Sequence, residues 1–391
     1  MCQNVYSENM FPKVLDKIYI WWDNAWKTQN IETTIIIACI WRRKKVMKLK
    51  KQFEKFHNDI KIDRDQEAAT LTEKRKILQS ELEDKLPGIL DKHDIKVTKS
   101  DLDIFDQGSY KLNTTIVVTP YDRDVAIIIP LDKNIHKDTR AIKKYVREAL
   151  KHNNRTIDIK EPCVTVKYFE DGEEVMHIDL PVYALHEGKV YLARGSEFAT
   201  EGNYFWEEAD PKGLNDSMLN CITGQGQMRR IIRYLKKWKY EKYKNTADDK
   251  KKQIPPSIGL TLLAFDCFEK VATSEGEDDL TALMKTIQNI VNQFDVTYGA
   301  NGEITKAEIT KYLPVKPWTD VFFKMKKSDE YGKTFYNRLS KALQNLIDAC
   351  NESSEHDAGL SVQKVFGEEF EVPPKETSCS STSTKKEYSF G

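Results

Sequence analysis

The sequence has no excess of charge of either sign: among 391 residues, 61 lysines and arginines balance 61 aspartates and glutamates. A protein that coats nucleic acid carries a basic excess, because its affinity comes from neutralising phosphates. The balance therefore argues against constitutive coating of nucleic acid, although it leaves room for a local basic patch. The charged fraction of 31% and the hydrophobic fraction of 40% are ordinary for a globular protein.

Paired cysteines and long apolar runs are also missing. The seven cysteines are scattered and none forms a Cys-x-x-Cys pair, so their spacing predicts neither a disulfide framework nor a zinc site. The apolar run at 33–41 has about half the length that spans hydrocarbon. The first residues lack the basic lead and the small-residue cleavage site of a signal peptide. We expect a cytoplasmic protein with reduced thiols and no membrane partner.

Residues 1–46 differ in character from the rest of the chain. Four of the seven tryptophans lie before Met47, in a stretch with little helical or strand periodicity, and charged, helix-forming sequence follows. Two interpretations stay open. Either Met47 is the natural start and the preceding residues are upstream DNA translated in error, or they form a genuine accessory segment such as an aromatic docking element. The intact mass of the protein made from its own gene separates the two.

The next part of the chain predicts a mixed α/β lobe. Residues 64–86 have leucines at spacings of seven and four, as in an amphipathic helix, and Pro87-Gly88 is expected to end it. The β-rich stretch 115–131 closes with a continuous apolar run, which is typical of a strand covered on both faces. A helix at 138–151 and a hairpin with an Asp-Gly turn at 163–180 complete the pattern.

Beyond residue 212 the pattern becomes helical. Four helices are predicted there: 227–240, 257–272, 279–294 and 335–350. The last 25 residues are rich in Ser, Thr, Lys and Glu, which predicts a flexible tail. The predicted organisation is an N-terminal extension at 1–46, an α/β lobe at 47–211, a helical lobe at 212–366 and a tail at 367–391.

Three carboxylates in the α/β lobe form a candidate metal site. Asp122 and Asp124 alternate with Arg123 along a predicted strand, so both acids face the same side, and Asp179 ends a strand of the neighbouring hairpin. Adjacent carboxylates repel one another unless a proton or cation lies between them. Oxygen ligands suit Mg²⁺, which takes further ligands from substrate phosphates. Asp-x-Asp alone usually marks a solvated strand end, but the apolar run that follows makes unpaired carboxylates costly here.

Gly108 and Ser109 precede this acid pair, with Ser109 thirteen positions before Asp122. Glycine lets backbone amides approach an anion, and the serine hydroxyl adds a donor. A helix beginning at this point would add its N-terminal amides. On its own Gly-Ser is a turn, but together with the acids it predicts a site for phosphates.

The predicted helix 227–240 carries two stripes. Met228, Ile231, Leu235 and Trp238 form an apolar one, and Arg229, Arg233 and Lys236 form a basic one. Five of the nine residues from Arg229 to Lys237 are basic and none is acidic. Most such charges are simply solvated, but an unopposed excess favours a phosphate partner.

The order Gly-Ser, Asp-x-Asp and a third Asp resembles the DNA polymerase beta nucleotidyltransferase superfamily. Within it, the chain most resembles the bacterial relatives of cyclic GMP-AMP synthase, which make cyclic di- and trinucleotide signals in anti-phage defence. The resemblance covers roughly residues 60–373. The segments that carry the resemblance are QGSYKLNT (107–114), YDRDVAII (121–128), HIDLPVYA (177–184), ADPKGLN (209–215), MRRIIRYLKKWK (228–239), PPSIGLTLLA (255–264) and VFGEEFEVP (365–373).

The resemblance implies a polymerase-beta-type nucleotidyltransferase lobe, a mixed sheet with flanking helices, packed on a C-terminal helical lobe. It implies synthesis of a cyclic oligonucleotide from nucleoside triphosphates, with two Mg²⁺ ions or, alternatively, Mn²⁺. Asp122, Asp124 and Asp179 would be the catalytic metal ligands, and Gly108 and Ser109 would hold phosphates. The product would act by diffusing to a downstream effector.

The family also implies that a lysine on the basic helix and a serine opening the next helix grip the triphosphate. Lys236 and Ser257 match these two positions, and Arg229 and Arg233 are further candidates for nucleotide binding. Relatives often carry an aromatic residue after the serine, where this chain has Ile258.

Base stacking must then come from elsewhere, with Tyr110, Tyr183 and Tyr204 as candidates. The His/Cys metal ribbon of the animal DNA sensor is absent from the sequence, so binding of double-stranded DNA is not supported.

Two other functions stay open, a template-independent RNA or protein nucleotidyltransferase and a non-catalytic nucleotide sensor. A sensor usually loses an acid, and all three are present here.

The chain ends at Gly391, in a segment predicted to be flexible. An unbranched terminal residue can thread a narrow adenylation site, and many relatives are encoded beside enzymes that ligate their C-terminus to other molecules. Gly391 is therefore a candidate conjugation site for ubiquitin-like ligation enzymes. The alternative is an ordinary disordered end that finishes in glycine.

Overall fold

The structure, a computed structural model, describes residues 47–62 and 67–375. The chain divides between Met47 and Lys48, and the unit from Lys48 onward is the one described below. The predictions for residues 1–46 and for Gly391 lie outside the described residues. Among the described helices, none is long and apolar enough to cross a membrane.

An eight-stranded mixed sheet is the centre of the α/β lobe. Its path is β3-β4-β5-β2-β6-β7-β8, and β1 pairs with β2 off this path. The strands are β1 (Asp103–Gln107), β2 (Tyr121–Pro130), β3 (Arg155–Ile159), β4 (Val164–Glu170), β5 (Glu173–Leu180), β6 (Val182–His186), β7 (Lys189–Arg194) and β8 (Phe205–Ala209). The two halves of β2 run parallel to β5 and β6, and the remaining pairs are antiparallel.

Two long helices cover this sheet: α2 (Glu67–Asp91) and α4 (Thr139–Ala149). The predicted leucine stripe of α2 is buried in the same core as the apolar residues of β2. The predicted stop at Pro87-Gly88 was wrong, because α2 runs five residues beyond the predicted end at residue 86, to Asp91. Pro87 removes one helical hydrogen bond, but burial of Leu86, Ile89 and Leu90 holds this last turn against the sheet.

The helical lobe has its own larger core. Its helices are α5 (Pro211–Ile222), α6 (Gly226–Tyr243), α7 (Ser257–Cys267), α8 (Asp279–Val291), α9 (Asp329–Asn351) and α10 (Glu355–Phe366). Two short hairpins accompany them: β9 (Ala272–Thr273) with β10 (Gly276–Glu277), and β11 (Asp295–Tyr298) with β12 (Ile304–Glu308). The four predicted helices are present, but α7 ends five residues early because the chain turns into the β9–β10 hairpin.

The core of the helical lobe also contains segments from both sides of its predicted span of 212–366. The first described helix, α1 (Lys50–Ile60), buries Phe53 and Phe56 there, and Phe370 is fully buried in the same core. Phe56 and Phe370 pack edge to face at 5.3 Å between ring centroids. The chain therefore enters the helical lobe, crosses to the α/β lobe and returns, an order that helix and strand patterns cannot reveal.

Candidate active site

Four polar side chains lie on one face of the sheet where β2 and β5 run parallel. Asp122 is the register partner of His177, and Asp124 is the partner of Asp179. Since side chains alternate along a strand, these four share a face and Arg123 lies on the other. There Arg123 is buried, with its Nε donating to Asp106 Oδ1 at 2.9 Å. The predicted grouping of the three acids is thus present, with a histidine beside them.

This polar face has the composition of a metal site. Asp122, His177 and Asp179 each offer one ligand atom, and these atoms lie within 4.8 Å of one another. Burial, together with the Asp122 and Asp179 carboxylates, raises the pKa of Asp124 well above its ordinary value. Such a carboxylate is stabilised in its charged form when a cation joins it. The donor set therefore fits a divalent ion.

The Gly-Ser turn lies directly against Asp124. Gly108 has φ +66°, and a Cβ atom placed on it would lie 2.1 Å from Asp124 Oδ2. Both the backbone conformation and the close approach require glycine at this position. The Ser109 hydroxyl lies 3.1 Å from the Thr115 hydroxyl. Gly108 and Ser109 are the first two residues of the four-residue helix α3 (Gly108–Lys111). The sequence pattern had identified the turn but not its contact with the acid.

A cavity of ≈ 500 Å³ lies between the two lobes, beside the acids and the Gly-Ser turn. The α/β lobe contributes Gly108, Ser109, Asp122 and Asp124 to its lining, and the helical lobe contributes Lys236, Lys239, Tyr240, Ser257 and Ile258. Acids that can hold cations therefore face basic and hydroxyl groups across one space, an arrangement that suits a polyphosphate bound between them.

Lys236 and Ser257 both line this cavity, but their partners differ from the predicted grip. Lys236 is buried and its Nζ donates to the Thr114 carbonyl and hydroxyl, each at 3.0 Å. The side chain that reaches the Ser257 hydroxyl is Lys239. Burial lowers the pKa of Lys236 to about 7 and that of Lys239 to about 8. Lys239 was missed, although its place one turn after Lys236 could have suggested it.

Arg229 and Arg233 lie outside the cavity lining, and their role in nucleotide binding stays a prediction. Arg229 Nε donates to the Leu112 carbonyl at 3.3 Å. Arg233 donates to the Asn113 backbone carbonyl and, at 3.2 Å, to its side-chain oxygen. With Lys236 on Thr114, the basic stripe of α6 thus binds three consecutive residues of the α/β lobe. Both arginines donate to backbone carbonyls of this segment.

Two of the three tyrosines considered for base stacking have other partners. The Tyr110 ring lies 3.7 Å from the Arg123 guanidinium carbon, and Tyr204 lies 3.9 Å from that of Arg140. Tyr183 does line the cavity but is buried. Tyr240, from α6, is the other tyrosine in the lining, and the sequence pattern gave no reason to single it out.

Known proteins resemble this chain in sequence and in fold. Residues 102–183 match the family model described as the nucleotidyltransferase domain of cyclic GMP-AMP synthase DncV-like proteins. The cyclic GMP-AMP synthase of Escherichia albertii is 26% identical over 196 residues, which cover 44% of this chain and 41% of that protein. The match thus spans less than half the length of this curated relative.

Solved structures of Vibrio cholerae DncV have the same fold. The complex of this cyclic AMP-GMP synthase with the linear intermediate 5′ pppA(3′,5′)pG aligns with a TM-score of 0.59 at 17% identity, over 82% of this chain and 96% of that one. The complex with nonhydrolyzable GTP aligns with a TM-score of 0.60 at 16% identity, over 83% and 99%.

The mixed sheet and the C-terminal helical region together have the fold of DncV. Residues 102–183 are similar in sequence to the nucleotidyltransferase domain of cGAS/DncV-like proteins.

Proposed function

We propose that this protein is a cyclic oligonucleotide synthase that joins nucleoside triphosphates and releases pyrophosphate. The observation that carries the proposal is the shared cavity, in which Asp122, Asp124 and the Gly108-Ser109 turn face Lys239 and Ser257. Solved structures with this fold support it: DncV, a cyclic AMP-GMP synthase, has been solved with nonhydrolyzable GTP and with the linear intermediate 5′ pppA(3′,5′)pG.

In the proposed reaction, a 2′ or 3′ hydroxyl of one nucleotide attacks the α-phosphorus of another. The bond from that phosphorus to the bridging oxygen breaks, pyrophosphate leaves, and a second round closes the ring. Asp122 and Asp124 would hold two Mg²⁺ or Mn²⁺ ions, with Asp179 nearest the attacking hydroxyl. Bound there, the ions would lower the pKa of the hydroxyl and neutralise charge on the triphosphate.

The remaining groups would position the triphosphate. Gly108 and Ser109 would approach its phosphates from the α/β lobe. Ser257 and Lys239 would do so from the helical lobe, with Lys236 behind them. Holding both substrates between two lobes supplies alignment and charge neutralisation, which are the main contributions that a protein makes to this kind of transfer.

The test uses Asp122→Ala and Asp124→Ala, with Asp132→Ala as the control, since Asp132 lies beyond the end of β2 and outside the cavity lining. Each variant is incubated with labelled triphosphates, treated with phosphatase and chromatographed. We expect a phosphatase-resistant product from the wild type and the control and none from the two cavity variants, all four proteins keeping the same circular dichroism spectrum. Wild-type activity in either cavity variant would refute the assignment.

The same assay distinguishes the two alternatives. A template-independent transferase would extend an added RNA or label a protein, and its linear product would lose terminal phosphates to phosphatase. A non-catalytic sensor would bind triphosphates without releasing pyrophosphate. Mass spectrometry of the wild-type product decides among the three and gives the identity of its bases.

The cellular role is part of the same proposal. A cytoplasmic enzyme whose diffusible product activates an effector during phage infection would protect cells, and Asp124→Ala would abolish that protection. Conjugation through Gly391 is proposed as a way to prime synthesis. Deletion of Gly391 should abolish conjugation in cells that carry the ligating enzyme, and unchanged conjugation would dispose of the idea.

A further inference from the structure

We infer that His177 is a nitrogen ligand of the metal site and that Glu174 fixes its tautomer, so that this site prefers Mn²⁺ to Mg²⁺. The inference rests on the proposed function for the presence of a metal, and it adds a ligand, an orienting residue and an ion preference that three aspartates alone would not give.

The position of His177 is set by strand register. It is the direct partner of Asp122 across the parallel β2–β5 pair, and it stands two residues before Asp179 on the same face. Its side chain is 19% exposed. The imidazole is therefore a direct neighbour of two of the acids, Asp122 across the strand pair and Asp179 along β5.

The distances match those of ligands that share one ion. His177 Nε2 lies 3.3 Å from Asp122 Oδ1. Two ligands at right angles on an ion with bonds of about 2.1 Å lie about 3.0 Å apart, and two on opposite sides lie about 4.2 Å apart. The ligand atoms of Asp122, His177 and Asp179 all lie within 4.8 Å of one another. Small side-chain rotations bring all three into coordination range.

The other ring nitrogen already has an orienting partner. His177 Nδ1 lies 2.9 Å from Glu174 Oε1, and Lys167 Nζ lies 3.6 Å from Glu174 Oε2. A carboxylate at Nδ1 holds a proton there and leaves the lone pair on Nε2, the nitrogen that faces Asp122. Metal-binding histidines are commonly held by such a carboxylate. The contacts from Lys167 through Glu174 to His177 thus direct the Nε2 atom toward Asp122.

A nitrogen donor changes which ion the site favours. Both Mg²⁺ and Mn²⁺ favour oxygen ligands, but Mn²⁺, a transition-metal ion, accepts an imidazole nitrogen more readily than Mg²⁺ does. The competing state is a protonated His177 paired with Asp122. Although burial opposes it, the carboxylates of Asp122 and Asp179 raise the pKa of His177 above its ordinary value. A direct measurement of the metal–nitrogen bond separates the two states.

The experiment uses the full chain, stripped of metal and loaded with Mn²⁺ without nucleotide, and pulsed electron paramagnetic resonance to detect ¹⁴N coupling to the ion. We expect imidazole coupling in the wild type and its loss in His177→Asn. His186→Asn is the matched control, because His186 is 11% exposed and lies 3.5 Å from Asp132 but belongs to no metal group among the described residues. It should keep the coupling.

Affinity gives the second readout. We expect His177→Asn and Glu174→Gln to weaken Mn²⁺ binding by about 10- to 100-fold, and Mg²⁺ binding by less. Wild-type protein that binds no Mn²⁺, or binds it without nitrogen coupling, overturns the inference, as does coupling that persists in His177→Asn. Failure of the proposed function would give a different result. The wild-type protein would then show the nitrogen coupling but release no pyrophosphate from any triphosphate.

Discussion

Replacement of Gly108 by alanine tests the contact between the Gly-Ser turn and the acids. At φ +66° an alanine costs about 1–2 kcal/mol of backbone strain. Its Cβ would lie 2.1 Å from Asp124 Oδ2 and 3.0 Å from Asp124 Cγ. Cβ atoms in proteins essentially never lie within 3.0 Å of such an atom, so the carboxylate or the turn must move by about 1 Å.

A displacement of about 1 Å at a reacting centre can cost on the order of 100-fold in rate. We therefore expect Gly108→Ala to lower kcat by about 100-fold, and its free energy of unfolding, measured by urea denaturation, to fall by about 1–2 kcal/mol. Pyrophosphate release measures the first effect. Mn²⁺ affinity should fall as well, because Asp124 can no longer take its place.

Gly172→Ala is the control that separates strain from collision. Gly172 has φ +84°, and a Cβ atom there would meet nothing within 4 Å. It should lose similar stability but keep full activity, because it lies in the β4–β5 turn, outside the cavity lining. Wild-type activity in Gly108→Ala, or an equal loss of activity in Gly172→Ala, would refute the reasoning.

Three further predictions concern the cations. Lys239→Ala should raise KM for the triphosphate by about tenfold or more, with a smaller change in kcat. Lys244→Ala, at the exposed end of α6, should change neither constant. Equal effects of the two substitutions would contradict the placement of Lys239 at the triphosphate. Arg233→Met removes the hydrogen-bond donors to Asn113, and the free energy of unfolding, measured by urea denaturation, should fall by about 2–3 kcal/mol. An unchanged free energy of unfolding would show that this contact between the lobes does not stabilise the protein. Burial lowers the pKa of Lys239 to about 8, so at pH 8.5 the free protein holds it mostly neutral. A bound triphosphate raises that pKa. Calorimetry in buffers of different ionisation enthalpy should therefore show proton uptake on binding, and the uptake should be smaller in Lys239→Ala, where Lys236 is the remaining cavity lysine with a lowered pKa; equal uptake in the two proteins would contradict this.

Local pattern was enough to predict the acids and the elements that carry them. Alternation along β2 placed Asp122 and Asp124 on one face and Arg123 on the other, and the leucine spacing of α2 and the apolar stripe of α6 gave the buried sides of both helices. The Asp-Gly hairpin turn was likewise readable, because two residues and their neighbours decide it.

Only the tertiary structure decided the partners of those faces. The stripe of α6 predicted that Arg229, Arg233 and Lys236 point one way, but whether they meet phosphate or backbone depends on residues 112–114, more than a hundred positions earlier. His177 joins Asp122 only through the register of β2 with β5. Periodicity fixes the direction of a side chain relative to its own helix or strand, whereas the group that it meets is set by how segments distant in sequence pack together.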